Sequence, residues 1–165
     1  MILRRKGSFP FLLSYGAFLI GTVLGSAAGF FLLRNSAFAL RFRPSGSGFL
    51  YSLLFALLPI LPVLFAGTST LGLAMIPALF LLRGWSFSFA VCVFLTTYGL
   101  PETIAVLALP GFFYLTAFFL SGDSAVDELL RAEHLPGKTK TKNILLIYIL
   151  LLMGAVTKTY CHTLF

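Results

Sequence analysis

Long apolar runs occupy most of this sequence, and they decide what kind of fold the chain can form. The first run, residues 11–33, contains 23 residues and no charged side chain. A helix of that length spans the roughly 30 Å hydrocarbon core of a bilayer with some tilt. Further apolar runs follow along the rest of the chain. We therefore predict an all-α fold, a polytopic integral membrane bundle of helices.

The composition indicates the same class. Hydrophobic residues make up 59% of the chain and charged residues 10%, whereas soluble domains contain roughly 25% charged residues. The net charge of +7 comes from Lys and Arg at the ends of apolar runs, where they meet anionic lipid headgroups. We expect Lys138, Lys140 and Lys142 to contact the lipid surface. No basic stripe carries interleaved aromatics, so the expected partners include membrane lipids and exclude nucleic acid.

Hydropathy divides the single membrane domain, residues 1–165, into about five spans and two other segments. The predicted spans are residues 11–33, 49–65, 85–100, 103–120 and 144–160. Residues 71–82 would rise only about 18 Å as a helix, so we predict a half-length or re-entrant helix there. Residues 121–143 contain Ser124-Ala-Val-Asp127, a pattern typical of a capping box. We predict for them a short amphipathic segment on the cytoplasmic face.

Arg83 interrupts the apolar stretch between residues 71 and 95. An arginine at the centre of a membrane helix costs at least about 2.5–3.5 kcal/mol on insertion scales. One interpretation makes Arg83 a topology anchor at the cytoplasmic edge, where Gly84 permits a tight bend and Trp85 anchors the next helix at the interface. The other interpretation makes Arg83 a functional charge inside the bilayer.

The distribution of positive charge predicts the orientation. With five spans and a cytoplasmic N-terminus, eight Lys and Arg lie in the cytoplasm and four lie outside. That bias agrees with the positive-inside rule. A six-span protein would satisfy the rule only in the reversed orientation. We therefore expect a multi-pass protein of the bacterial cell membrane with its N-terminus in the cytoplasm.

Three glycines, Gly21, Gly25 and Gly29, recur at intervals of four residues in the first span. Residues four apart share a helix face, and glycine there allows another backbone to approach closely. The face can serve for association with a partner chain or a second copy of this one. It can equally pack against later helices of the same chain. The spacing does not distinguish these uses.

Candidate reactive groups are few. Glu102 is the sole acid between residues 1 and 122, which makes it a candidate for an intramembrane proton or ion site. It also follows Pro101 at the start of an apolar run, where a carboxylate stabilises a helix N-terminus. No spaced set of catalytic or metal-binding side chains stands out in the sequence. We expect no enzymatic activity, no cofactor and no metal.

Residues 71–120 resemble the stage II sporulation protein M family of bacterial multi-span membrane proteins. The similar features are the basic-Gly pair Arg83-Gly84, the aromatic-rich helix of residues 85–94, the loop Tyr98-Gly99-Leu100 and a later helix that contains Pro110. The chain departs from the family in having Ser88 where a second glycine is usual. The resemblance implies a non-enzymatic scaffold that recruits peptidoglycan hydrolases, stage II sporulation proteins P and D, to the septum during sporulation and engulfment.

Two surfaces are the expected partner contacts of such a scaffold: the first-span glycine face and the exterior loop that carries Arg34, Arg41 and Arg43. The rival hypothesis is a membrane subunit of a small-molecule transporter or permease. Pro59, Pro62 and the half-length segment are typical of the broken helices from which transporters build binding sites at the membrane midplane.

Overall fold

The computed structural model describes residues 8–35, 49–69, 71–131 and 140–164, and within these ranges the regular structure is entirely helical. We number the helices in chain order. They are α1 (Ser8–Asn35), α2 (Phe49–Leu57), α3 (Ile60–Ala66), α4 (Gly72–Tyr98), α5 (Leu100–Thr103), a π-helical turn (Ile104–Ala108), α6 (Leu109–Arg131) and α7 (Lys140–Leu164).

Four helical segments in the described part of the chain are long and apolar enough to cross a membrane. They are Pro10–Leu32, Gly72–Tyr98, Leu100–Leu129 and Asn143–Cys161. The prediction of an all-α fold is confirmed, and these four segments agree in length and composition with the prediction of several membrane-spanning helices.

The predicted division of the chain around Arg83 is wrong. Residues 71–82 and 85–100 do not form a half-length helix and a separate span, because α4 continues through Arg83, Gly84 and Trp85 over 27 residues. Twelve apolar residues are too short to span alone, but joined to the next run they make a helix about 40 Å long. One arginine with a long apolar stem does not break such a helix.

The second predicted span, residues 49–65, is interrupted. α2 ends at Leu57 and α3 begins at Ile60, with Pro59 in helical conformation between them at φ −76° and ψ −19°. The interruption follows from proline, which cannot donate to the preceding turn and whose ring presses on it.

The boundaries near residues 103–143 also differ from the prediction. Ser124 does not start a helix, because α6 runs through it to Arg131. The Ser121 and Ser124 hydroxyls instead donate to the carbonyls of Ala117 and Leu120, one turn earlier. Of the predicted cytoplasmic segment, residues 121–131 extend α6, residues 132–139 lie outside the described residues, and residues 140–143 begin α7.

Contacts between helices fix their directions. α1 and α4 run parallel, since Gly84 meets the Phe18 carbonyl and Gly29 meets Cys92 further along both helices. α6 runs antiparallel to α4. Phe80 lies against Gly122, and Phe87 lies against Gly111. α7 runs antiparallel to α6, with Gly154 against Tyr114 and the Asn143 side-chain amide donating to Ser124 Oγ at 3.3 Å.

The core lies where α3, α4, α6 and α7 meet. Its largest fully buried hydrophobic side chains are Phe80, Phe118, Ile60, Ile76, Leu151 and Val63. α1 packs along the outside of this group, mainly on α4. Its other faces expose apolar side chains, as expected of a helix that contacts lipid; they include Leu12, Leu19, Val23 and Phe30.

Candidate functional site

The three glycines of the first span face α4 of the same chain. A Cβ atom added at Gly21 or Gly25 would overlap the carbonyl oxygens of Leu81 or Trp85, and one at Gly29 would lie 2.8 Å from Cys92 Cβ. On α4, a Cβ at Gly84 would overlap the Phe18 carbonyl. Backbone therefore meets backbone along this contact, which we call the glycine seam. The sequence left open whether this face packs against another protein or against a later helix of the same chain. In the structure it packs against α4 of the same chain.

Polar groups cross the seam beside the glycines. Ser26 Oγ and Ser88 Oγ form a hydrogen bond, and Ser26 also approaches the Thr22 carbonyl at 2.8 Å. When Ser26 donates its single proton to Thr22, Ser88 is the donor between the two hydroxyls. The Cys92 thiol points at the Ser26 carbonyl, 3.9 Å away. Ser88, a departure from the sporulation family in the sequence, is thus a contact residue of the seam.

A second polar link joins α1 to α6. The Tyr15 hydroxyl donates to the Asp123 carboxylate, with its oxygen 3.0 and 3.1 Å from the two carboxylate oxygens. The Tyr15 ring packs edge-on against Phe80 at a centroid distance of 6.0 Å and tilted against Phe119 at 5.3 Å. Sequence analysis missed this pair, because a partner 108 residues away leaves no local pattern. Asp123 also falls in segment 121–143, which hydropathy assigns to the cytoplasmic face and not to a membrane span.

Arg83 lies inside α4, 11 residues after Gly72 and 15 before Tyr98. The interpretation of Arg83, Gly84 and Trp85 as a turn is therefore wrong: Gly84 serves the seam, and the Trp85 ring stacks on Phe89 with a centroid distance of 5.8 Å. The Arg83 side chain is partly buried, and its Nε is fully buried without a hydrogen-bond partner among the described residues. Arg83 is a positive charge near the middle of an apolar helix.

Two other buried polar atoms in the described part of the chain lack a hydrogen-bond partner, as Arg83 Nε does. They are Ser52 Oγ on α2 and the Tyr114 hydroxyl on α6. Ser52 is 2% exposed. Buried polar groups are paired in the large majority of cases, so each exception calls for an explanation. Neither residue stood out in the sequence, because an isolated Ser or Tyr in an apolar run is ordinary.

The remaining predicted residues lie away from Arg83. Glu102 stands in the first turn of α5. That helix begins directly after Gly99, whose φ is +90°. That is the end of α4 and the position at which a carboxylate favours a helix N-terminus. Lys138 and the exterior-loop residues Arg41 and Arg43 lie outside the described residues, as do the side chains of Lys140, Lys142 and Arg34. Within the described ranges, no three His, Cys, Asp or Glu side chains are grouped as metal ligands would be.

Comparison with known proteins adds no assignment. No family model matches the chain, and neither a curated protein nor a solved structure is significantly similar to it.

Proposed function

We propose that the chain crosses the membrane five times, with the interrupted pair α2–α3 as the second crossing. Because α1 and α4 run parallel, the chain between them must return to the side on which α1 began. Residues 49–66, which contain α2 and α3, carry no charge, and their 18 residues correspond to about 27 Å of helix. That length approaches the roughly 30 Å of a bilayer core. The two chain termini then lie on opposite sides.

The positive-inside rule orients this arrangement with the N-terminus in the cytoplasm. Seven Lys and Arg then flank the cytoplasmic ends of the crossings and four flank the outer ends, while Arg83 lies within α4. The cytoplasmic set is Arg4, Arg5, Lys6, Arg131, Lys138, Lys140 and Lys142, and the outer set is Arg34, Arg41, Arg43 and Lys158.

For its role, we propose a non-enzymatic scaffold in a bacterial cell membrane that holds exported peptidoglycan hydrolases at the septum. The partners come from the resemblance to the stage II sporulation protein M family. The observation that carries the scaffold role is the glycine seam, which joins α1 and α4 by direct backbone contact. The proposed orientation assigns the segment after α1, with Arg41 and Arg43, to the outer side of the membrane. That segment is the proposed docking point for hydrolases, since the glycine face is occupied by α4.

A mild-detergent pull-down of the tagged full chain from its native cells tests this role. We expect exported peptidoglycan hydrolases among the recovered proteins, and we expect the double variant R41Q/R43Q to lose them. K158Q is the matched control, because it removes a positive charge from the same side of the membrane. Recovery of transport subunits in place of hydrolases would contradict the scaffold proposal. Full recovery of the hydrolases by R41Q/R43Q would contradict the proposed docking point.

A subunit of a small-molecule transporter is the second candidate function. Arg83 favours it, because charged groups inside membrane helices commonly mark substrate or ion pathways. The interruption at Pro59 and the π-helical turn Ile104–Ala108 are two irregular segments, and π-turns are frequent at functional sites. Uptake assays in cells that carry R83Q in place of the wild-type chain separate this function from the scaffold. A transport subunit loses uptake in R83Q, whereas a scaffold retains hydrolase recruitment.

A further inference from the structure

Ser52, Arg83 and Tyr114 each bury a polar atom without a partner in the described structure, on three different helices. Leaving one buried donor unsatisfied is unfavourable, and more so when the group is charged. Three such atoms in one small bundle are either scattered defects or members of one site. Their positions along and around the helices distinguish these cases.

Arg83 and Tyr114 occupy corresponding positions on α4 and α6. Arg83 is eleven residues after Gly72, and Tyr114 is eleven residues before Ala125. Residues eleven apart share a helix face and lie about 16 Å apart along the axis. Gly72 packs against the Ala66 carbonyl at the end of α3, and Ala125 packs against Gly67, the next residue. Both side chains therefore lie on the faces that α3 begins to cover, at the same distance from its end.

Ser52 belongs to the inward face of α2–α3. It continues the buried stripe formed by Ala56, Ile60, Val63 and Ala66. Ser52 precedes Ala66 by fourteen residues, about 21 Å along a helix. It therefore lies within about one helical turn of the depth of Arg83 and Tyr114.

α2 and α3 pack against different helices. α3 packs against α4 and α6, whereas α2 packs mainly against α7. The face of α4 that carries Arg83 is thus covered by α3 near Gly72, and α2 makes little contact with α4. The three unpartnered atoms belong to α2, α4 and α6 at about the same depth in the bundle.

The described carboxylates do not neutralise Arg83. Glu102 begins α5, and Asp123 lies on the other side of α6, where it accepts the hydrogen bond from Tyr15 of α1. Asp127 and Glu128 lie within five residues of the end of α6, near the contact of Leu129 with Gly72. A guanidinium held in an apolar bundle requires an anion to offset its desolvation.

We propose that the region between α2, α4 and α6 binds an oxyanion, a phosphate or carboxylate group, through the Arg83 guanidinium, with the Ser52 and Tyr114 hydroxyls as further donors. Arginine presents donors in a fixed fork that matches both groups. A free anion and the headgroup of an anionic lipid offer this same chemistry. The anion site does not depend on the scaffold role, so a failed hydrolase pull-down would not contradict the site.

The test uses the purified full chain in lipid nanodiscs. In discs of phosphatidylcholine alone, inorganic phosphate and acetate are titrated and binding is followed calorimetrically. In discs that also contain phosphatidylglycerol, native mass spectrometry records which lipid stays bound. Saturable binding in the first arm identifies a free anion, and selective retention of phosphatidylglycerol in the second identifies a lipid headgroup.

The variants decide whether Arg83 carries the binding. We expect R83Q to weaken it at least about tenfold, which corresponds to one lost charge-assisted hydrogen bond. Y114F and S52A, which each remove one hydroxyl, should weaken it about two- to tenfold. K158Q removes another positive charge from an apolar helix and should leave binding unchanged. If R83Q does not fold, R83K keeps the charge without the fork, and Y114F and S52A still test the site. Absence of binding in both arms, or equal binding by the wild type and the foldable variants, overturns the proposal.

Discussion

The glycine seam makes a quantitative prediction for Gly25→Ala. The added methyl would lie 2.9 Å from both the carbonyl carbon and the Cα of Trp85, and closer still to its carbonyl oxygen. Ordinary van der Waals contact begins at 3.4 Å, so α1 and α4 must separate by at least 0.5 Å at this point. The obstructing atoms are backbone, so no side-chain rotation relieves the overlap. A gap of that size forfeits a quarter or more of each contact's dispersion energy, and overpacked interfaces lose about 1–3 kcal/mol.

The assay compares Gly25→Ala with Gly16→Ala in unfolding titrations of the purified chain in mixed micelles. Gly16 is the matched control, since it lies on the same helix and a Cβ there has nothing within 4 Å. We expect Gly16→Ala to be neutral or stabilising, because Ala is the better helix former, and Gly25→Ala to be destabilised by about 1–3 kcal/mol. A disulfide cross-link between Cys replacements at Ser26 and Ser88, in a Cys92→Ala background, reports the helix separation. Equal stability of the two alanine variants, with cross-linking unchanged, would refute the reasoning.

Three further predictions follow from other contacts. Tyr15→Phe and Asp123→Asn should each destabilise the fold, and their double-mutant cycle should give a coupling of about 1–3 kcal/mol; additive effects would mean that the hydrogen bond contributes nothing. Gly99→Ala forces an L-residue to φ +90° and should lower the unfolding free energy by about 1–3 kcal/mol, measured against Gly16→Ala. Reporter fusions at the two termini should label opposite sides of the membrane, as five crossings require, whereas labels on the same side would indicate an even number.

Hydropathy predicts the existence of the long helices but not where they begin and end. The turn interpretation of Arg83 rests on the cost of inserting a charge and on the positive-inside rule. The helix continues through Arg83 because arginine, unlike proline, keeps the backbone N–H that the helix needs. Likewise, Ser124 and Asp127 match a capping box, but a capping box starts a helix only where the preceding residues are not already helical. Local patterns of this kind indicate which conformations a residue can adopt. The surrounding chain determines whether a helix starts, ends or continues there.

The candidate site was less predictable than the fold. The spacing of Gly21, Gly25 and Gly29 predicts a close-packed face correctly and contains nothing about which helix covers it. The hydrogen bond between the Ser26 and Ser88 hydroxyls depends on contacts between residues far apart in sequence. The same holds for the Ser52 and Tyr114 hydroxyls, which have no partner in the described structure. Sequence patterns report periodicity along one helix. Pairing between helices depends on their rotation and depth, which a single sequence does not encode in a readable form.

The parallel pairing of α1 and α4 sets an order for the synthesis of this protein. Gly29 meets Cys92, which the ribosome adds 63 residues later, or about 3–13 s later at 5–20 residues per second. Throughout that interval α1 resides in the bilayer with its glycine face covered by lipid or by the insertion machinery. In the proposed five-crossing topology, the pair closes only after α2–α3 has passed back through the membrane. Any slowing of that middle crossing prolongs the time during which an unpaired first helix is available to other membrane proteins or to proteases.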